Sequence, residues 1–286
     1  MITKAVLLCG GLATRLLPIT KSIPKEMLPI LNRPAIDYCI EDLKNNGITD
    51  ILIVLGRNKE TLETYFDRNI ELENRLLAEN KTEYLEKITQ QFSNVNITFI
   101  RQLYTKGTGY ATNLAREFVG DDSFILLYPD DLVIGDSICK QLISIHNSTK
   151  GNVIPLKRID INECNKYGMV GITELTNNAY KVSDFVEKPD ISTTPSDMCY
   201  TGGGLFNSEI FEHLNTCPIH EENGEIYLTD AFSPLISSGT LYGTVISGTR
   251  LDIGSPIGFL KSNIIAGLND HSFRDELIKF LKSLDI

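Results

Sequence analysis

Four short apolar runs recur through the first half of the chain, Ala5 to Cys9, Ile51 to Leu55, Ile97 to Ile100 and Phe124 to Tyr128, with helical patterns between them. Near-continuous apolar strands that alternate with amphipathic helices specify a parallel sheet covered on both faces. Pro34 to Asn46 is one such helix: Ile36, Cys39, Ile40 and Leu43 share a face, and Gly47 ends it. Gly107 to Val119 reads as a second. Ligands in such sheets bind beyond the carboxyl ends of the strands, so chemistry is expected in the loop after each run.

From Asn152 the pattern is richer in strands: Asn152 to Leu156, Met169 to Leu175, Tyr180 to Val186, Gly203 to Phe206 and Leu241 to Ile246. Ser255 and Pro256 then open a helix as N-cap and first-turn proline, with Ile257, Leu260, Ile264 and Leu268 on one face. Phe273 to Leu284 reads as a final helix, and the charged, helix-prone stretch Ile70 to Gln90 as an insertion packed on the surface. With no repeat or linker in 286 residues, a single mixed α/β domain is expected, with a first half of 1–150, a strand-rich second half of 151–254 and C-terminal helices in 255–286.

The net charge of -10 argues against nucleic acid as a partner, because phosphate backbones select basic surfaces. A small anionic substrate would need a local basic cluster or a divalent cation. The six cysteines form no C-x-x-C pair and several sit in apolar runs, so they are expected reduced and mostly buried. No apolar run approaches the ~20 residues that span a bilayer, and the N-terminus enters a strand directly rather than a targeting pattern. A cytoplasmic protein without membrane contact is expected. The four histidines share no spacing and receive no role. No G-x-S-x-G motif supports a nucleophilic hydrolase.

The loop after the first run, Cys9 to Pro29, holds Gly10, Gly11, Arg15, Lys21 and Lys25, with Pro18, Pro24 and Pro29 expected to stiffen it in extended geometry. It fits neither the Walker A nor the G-x-G-x-x-G pattern, and the latter mismatch removes a dinucleotide-dependent oxidoreductase. Gln102, beyond the third run, can donate and accept together and so read a pyrimidine edge, with Gly107 beside it to let a base lie flat. Asp130 and Asp131 follow the fourth run, and Asp252 follows another; such carboxylates either bind Mg²⁺ or cap turns. Glu187 and Lys188 either hold sugar hydroxyls and a phosphate or form a surface pair. Gly168 and Gly202 offer backbone to the same ligand or simply serve turns.

In chain order, several stretches together resemble the bacterial UTP–glucose-1-phosphate uridylyltransferases, within the sugar nucleotidyltransferases. They are Gly10-Gly11-Leu12-Ala13-Thr14-Arg15 with Pro24-Lys25-Glu26-Met27-Leu28-Pro29, Gly56-Arg57-Asn58-Lys59 with Phe66-Asp67-Arg68-Asn69, and Arg101-Gln102 with Lys106-Gly107. Pro129-Asp130-Asp131, Tyr167-Gly168, Val186-Glu187-Lys188-Pro189, Glu225-Ile226 with Leu228-Thr229-Asp230, and Asp252-Ile253-Gly254 continue the series over nearly the whole chain. The resemblance implies a Rossmann-like nucleotidyltransferase core, with a mixed, mostly parallel sheet flanked by helices and a smaller β-rich sugar-side lobe. It implies that UTP and glucose 1-phosphate give UDP-glucose and pyrophosphate, with Mg²⁺ as cofactor and a homodimer or homotetramer as the assembly. It assigns the uracil to Gln102 and Gly107 with backbone from Gly10, Gly11 and Glu26, and Mg²⁺ to Asp130 and Asp252. Glucose falls to Gly168, Glu187 and Gly202, the sugar phosphate to Lys188, and the triphosphate to Arg15 and Lys25.

Three positions depart from the family's usual pattern: Ala13 stands in place of glycine, Gly203 of arginine and Tyr227 of glutamine. They leave open a sister enzyme using dTTP, CTP or another sugar 1-phosphate, and a weakly catalytic nucleotide-sugar-binding protein.

Overall fold

The computed structural model of the chain describes residues 1–90, 92–176 and 178–284; residues 285–286, at the end of the expected C-terminal helical span, lie outside it. The first strand, β1 (Lys4–Cys9), explains the architecture. Its side chains alternate between two cores: Ala5, Leu7 and Cys9 pack with Ile36, Ile40 and Leu43, while Val6 and Leu8 pack with Ala111, Ala115 and Phe211. A strand buried on both faces reads as one unbroken apolar run for this reason.

The other strands are β2 (Pro29–Ile30), β3 (Arg33–Pro34), β4 (Asp50–Leu55), β5 (Asn96–Arg101), β6 (Phe124–Leu127), β7 (Asp131–Ile134) and β8 (Asn152–Arg158). They continue with β9 (Gly168–Glu174), β10 (Tyr180–Glu187), β11 (Met198–Tyr200), β12 (Gly204–Phe206), β13 (Leu241–Val245) and β14 (Thr249–Asp252). One ten-stranded sheet runs β11-β9-β10-β13-β8-β12-β6-β1-β4-β5 through both halves. Pairing is parallel from β6 through β1 and β4 to β5 and between β13 and β8. It turns antiparallel where β12 joins β6 to β8 and in the β9, β10 and β11 region. This is the mixed sheet flanked by helices that the sequence leads one to expect.

The helix expected over Pro34 to Asn46 is Ala35–Asn45, buried through Ile36, Cys39, Ile40 and Leu43. Ile70 to Gln90 forms two surface helices, Ile70–Ala78 and Thr82–Gln90, with no fully buried residue. Five of the six cysteines are buried and all are free thiols. No helix among the described residues is long and apolar enough to cross a membrane.

Four expectations need correction. Gly107 to Val119 is two helices, Gly107–Asn113 and Arg116–Val119, because Ala115 N donates to Thr112 O and tightens the turn between them. The proline-rich loop is not extended: it folds into three 3₁₀ turns, Thr14–Leu16, Ile19–Lys21 and Lys25–Met27, with Pro18 and Pro24 at the caps of the last two. Gly203 falls before β12 rather than in it. Ser255 does cap the helix Pro256–Asn269 through Gly258 N, but Ile257 and Leu260 of the apolar face point to solvent. The buried side instead carries Ser262, Ala266 and Gly267, and at Gly267 the missing side chain lets Leu277 of the last helix, Arg274–Lys282, approach closely.

Candidate active site

The loops after β1, β4, β5 and β6 all open at the same edge of the sheet, as parallel pairing requires. A cleft of about 530 Å³ lies there, lined by Gly10, Gly11, Ala13, Lys25, Gln102, Gly107, Thr108, Tyr128, Asp130, Glu225 and Tyr227 among others. Gln102 is buried at its floor, where its backbone N–H donates to Leu55 O. Its amide lies close against Gly10: a β-carbon on Gly10 would sit 1.7 Å from Gln102 Nε2. Any larger residue at position 10 would displace that amide.

Asp130 leaves the end of β6 and accepts a 2.7 Å hydrogen bond from Lys25 Nζ. Burial works against the charge on Lys25, but Asp130 beside it, followed by Glu26 and Cys9, raises its pKa all the same. The short pair β7–β14 sets Asp252 directly across from Asp131, and Ile253 N donates to Asp130 O at 3.0 Å. The position a β-carbon would take on Gly254 lies 2.8 Å from Arg15 Nη2, 3.1 Å from Asp252 Oδ1 and 3.5 Å from Asp130 Oδ2. One guanidinium and two carboxylates from three distant stretches thus converge on one spot.

These carboxylates fit a hard divalent cation. No group of three or more His, Cys, Asp or Glu suited to a metal occurs among the described residues. Two oxygen-donor side chains at the mouth of a cleft match a cation that keeps several waters and takes further ligands from substrate phosphates. Asp131 is held apart by a forked pair with Arg250. Its burial, with Asp130 and Asp252 nearby, lifts it to about 6 against the pull of that guanidinium.

In the strand-rich half, β9 and β10 place Gly168 opposite Glu187; a β-carbon on Gly168 would lie 2.9 Å from Glu187 Oε2. Lys188 follows in a left-handed conformation, φ 46°, with its N–H donating to Tyr167 O. Its Nζ is 3.7 Å from Glu187 Oε1, and both side chains are more than half exposed. Gly202 lies against the ring of Tyr128. Tyr128 separates the main cleft from a second cavity of about 320 Å³ that Gly202, Thr201, Lys157 and Arg250 help to line. Burial pushes its phenol up to about 12, and Thr108 and Tyr200 are its hydrogen-bonding neighbours.

Gly10, Gly11, Lys25, Gln102, Gly107 and Asp130 therefore line one cleft, Arg15 and Asp252 stand at its mouth, and Gly202 reaches it through Tyr128. Glu187, Lys188 and Gly168 form a separate group on β9 and β10. Glu26 does not line the cleft; its carboxylate is fully buried against Lys59. Tyr128 and Lys59 escape a sequence reading. The first is the aromatic residue just before Pro129-Asp130, and the second closes the Gly-Arg-Asn-Lys stretch.

The three departures also acquire reasons. Ala13 is left-handed, φ 51° and ψ 42°, a conformation that costs a non-glycine residue on the order of 1 kcal/mol. Gly203 has φ 69°, and a β-carbon there would lie 2.3 Å from Leu126 O, so this backbone excludes an arginine. Tyr227 caps the turn Leu228–Ala231: its backbone N–H donates to Asp230 and its hydroxyl meets Asn223.

Residues 4–265 match the family described as nucleotidyl transferase. Over its whole length the chain is 40% identical to the UTP–glucose-1-phosphate uridylyltransferase 2 of Staphylococcus saprophyticus, of which the match covers 99%. The UTP-bound UGPase from Acinetobacter baumannii superposes with a TM-score of 0.92 at 34% identity, over 99% of this chain and 100% of that one. A UDP-glucose pyrophosphorylase complexed with UDP-glucose superposes at 0.84 and 31% identity, over 94% of this chain and 100% of that one.

Proposed function

This chain belongs to the nucleotidyl transferase family, and we propose that it transfers the uridylyl group of UTP to glucose 1-phosphate, forming UDP-glucose and pyrophosphate. The observation that carries this reading is the meeting of Arg15, Lys25, Asp130 and Asp252 at the mouth of a cleft whose floor holds Gln102. The relatives named for this reaction, and the similar structures that hold UTP and UDP-glucose, support it.

A phosphate oxygen of glucose 1-phosphate forms the new bond to the α-phosphorus of UTP. The bond from that phosphorus to the bridging oxygen breaks, and pyrophosphate leaves with the electron pair. The attacking oxygen is already ionised, so no general base is needed, and the protein's task is positioning and charge neutralisation. Gln102 offers both a donor and an acceptor to the pyrimidine edge, with Gly10 and Gly107 giving it a flat wall. Lys25 spends one N–H on Asp130 and keeps two for phosphate oxygens, and Arg15 adds a forked donor on the leaving side. Glu187 accepts from sugar hydroxyls, with Gly168 and Gly202 as backbone neighbours, and Lys188 steadies the sugar phosphate. A divalent cation on Asp130 and Asp252, which we take to be Mg²⁺, would supply further neutralisation of the triphosphate.

The test is pyrophosphate release from glucose 1-phosphate with UTP, dTTP or CTP, with and without a chelator. UTP should exceed the other two by at least tenfold, and chelation should abolish turnover. Equal rates with dTTP would overturn the uridylyl assignment, and full activity in chelator would overturn the cation.

A further inference from the structure

Lys59 is a cation that the reaction above does not use. It follows β4 in the Gly56-Arg57-Asn58-Lys59 stretch and is only 6% exposed. Its Nζ donates to Glu26 Oε2 at 2.6 Å, and Glu26 is 0% exposed. The other carboxylate oxygen, Oε1, is buried without a hydrogen-bond partner among the described residues. Buried ion pairs add little stability over an apolar pair of equal volume, whereas losing one partner strands a buried charge. A pair kept here, with half its carboxylate unsatisfied, calls for a role in position.

The neighbour of Glu26 supplies that role. Lys25 and Glu26 share one 3₁₀ turn, Lys25–Met27. Lys25 turns toward the cleft and Asp130, while Glu26 turns into the core beside Lys59. Because the two residues are adjacent on that turn, the charge of Glu26 acts on Lys25 electrostatically even though its side chain points the other way. Two acidic residues, Asp130 and Glu26, therefore compete for Lys25.

We propose that Lys59 is a positioning residue for nucleotide binding: by neutralising Glu26 beneath the turn, it leaves Lys25 directed to the triphosphate side of the cleft. Without Lys59, the stranded Glu26 carboxylate draws the Lys25 ammonium down and out of the phosphate site. The inference rests on the uridylyl-transfer reading, and UTP binding is its readout independent of turnover.

The experiment is calorimetric titration of UTP into the folded wild type, Lys59→Met and the double variant Lys59→Met/Glu26→Gln, with KM for each substrate measured beside it. Lys59→Met should weaken UTP binding and raise its KM at least tenfold, with the KM for glucose 1-phosphate moving less than twofold. Removing the competing charge in the double variant should bring UTP affinity back to within fivefold of wild type. Equal losses for both substrates in Lys59→Met, or a double variant that remains tenfold weaker, would overturn the proposal. If Lys59→Met does not fold, the double variant decides alone by the same limits. A wild type that binds no UTP would instead sink the proposed function, a separate failure.

Discussion

In the first half of the chain, Lys25 and Lys59 are each enclosed and lie 2.7 and 2.6 Å from a carboxylate. In the strand-rich second half, Lys188 stands 3.7 Å from Glu187 with both side chains exposed. The first arrangement arises where parallel strands, buried on both faces, deliver their loops to one edge, so that charged side chains have nowhere to go but toward each other. The second arises where antiparallel β9 and β10 keep a wet face, and the end of β10 projects into solvent. Fixed dipoles and charges stabilise a transition state without reorganising, whereas solvated ones must be ordered by the substrate. The first half is therefore preorganised, whereas the exposed pair of the second half would have to be ordered by whatever ligand it meets.

The largest effect expected from this contrast is in Asp130→Asn. It removes the partner of Lys25 and one of the two carboxylates proposed to hold the cation, so kcat/KM for UTP should fall roughly 10³-fold. Activity within tenfold of wild type would remove Asp130 from the site. Next comes stability. Glu26→Ala strands a buried ammonium and should cost about 3–5 kcal/mol in denaturant unfolding. Glu187→Ala breaks only an exposed pair and should stay within about 0.5 kcal/mol. Equal costs would erase the difference between the halves. Lys188→Ala should lower kcat/KM for glucose 1-phosphate about 10²-fold while leaving the UTP affinity unchanged; a matching loss of UTP binding would show that the halves are not separate. The smallest effect is in Ala13→Gly, which relieves a left-handed alanine. It should raise stability by up to about 1 kcal/mol and tighten UTP binding severalfold, and weaker UTP binding by calorimetry would count against a strained loop.

The departures follow the same division. Ala13 lies in the preorganised loop, where a left-handed residue is held by Leu16 N and Thr20 Oγ1 donating to its carbonyl. Gly203 lies where β12 joins the two halves, packed on the backbone of β6. An arginine there would need a different path for the chain.

The sequence by itself determined the strands of the parallel half, the helix behind β1 and the identity of Lys25, Gln102 and Asp130 as candidates. Burial on both faces writes an unbroken apolar run into local composition, and the loop chemistry follows at the next residues. The resemblance pairs Asp252 with Asp130, but only the tertiary structure decided how they meet, because β7 and β14 pair across more than a hundred residues and short strands carry no local mark of their partner. The same holds for Lys59 beneath Glu26 and for the helix Pro256–Asn269, where Ile257 and Leu260 face solvent while Ser262, Ala266 and Gly267 are buried. Periodicity states which residues share a face; which neighbour covers that face, and how closely, is settled by contacts between distant parts of the chain.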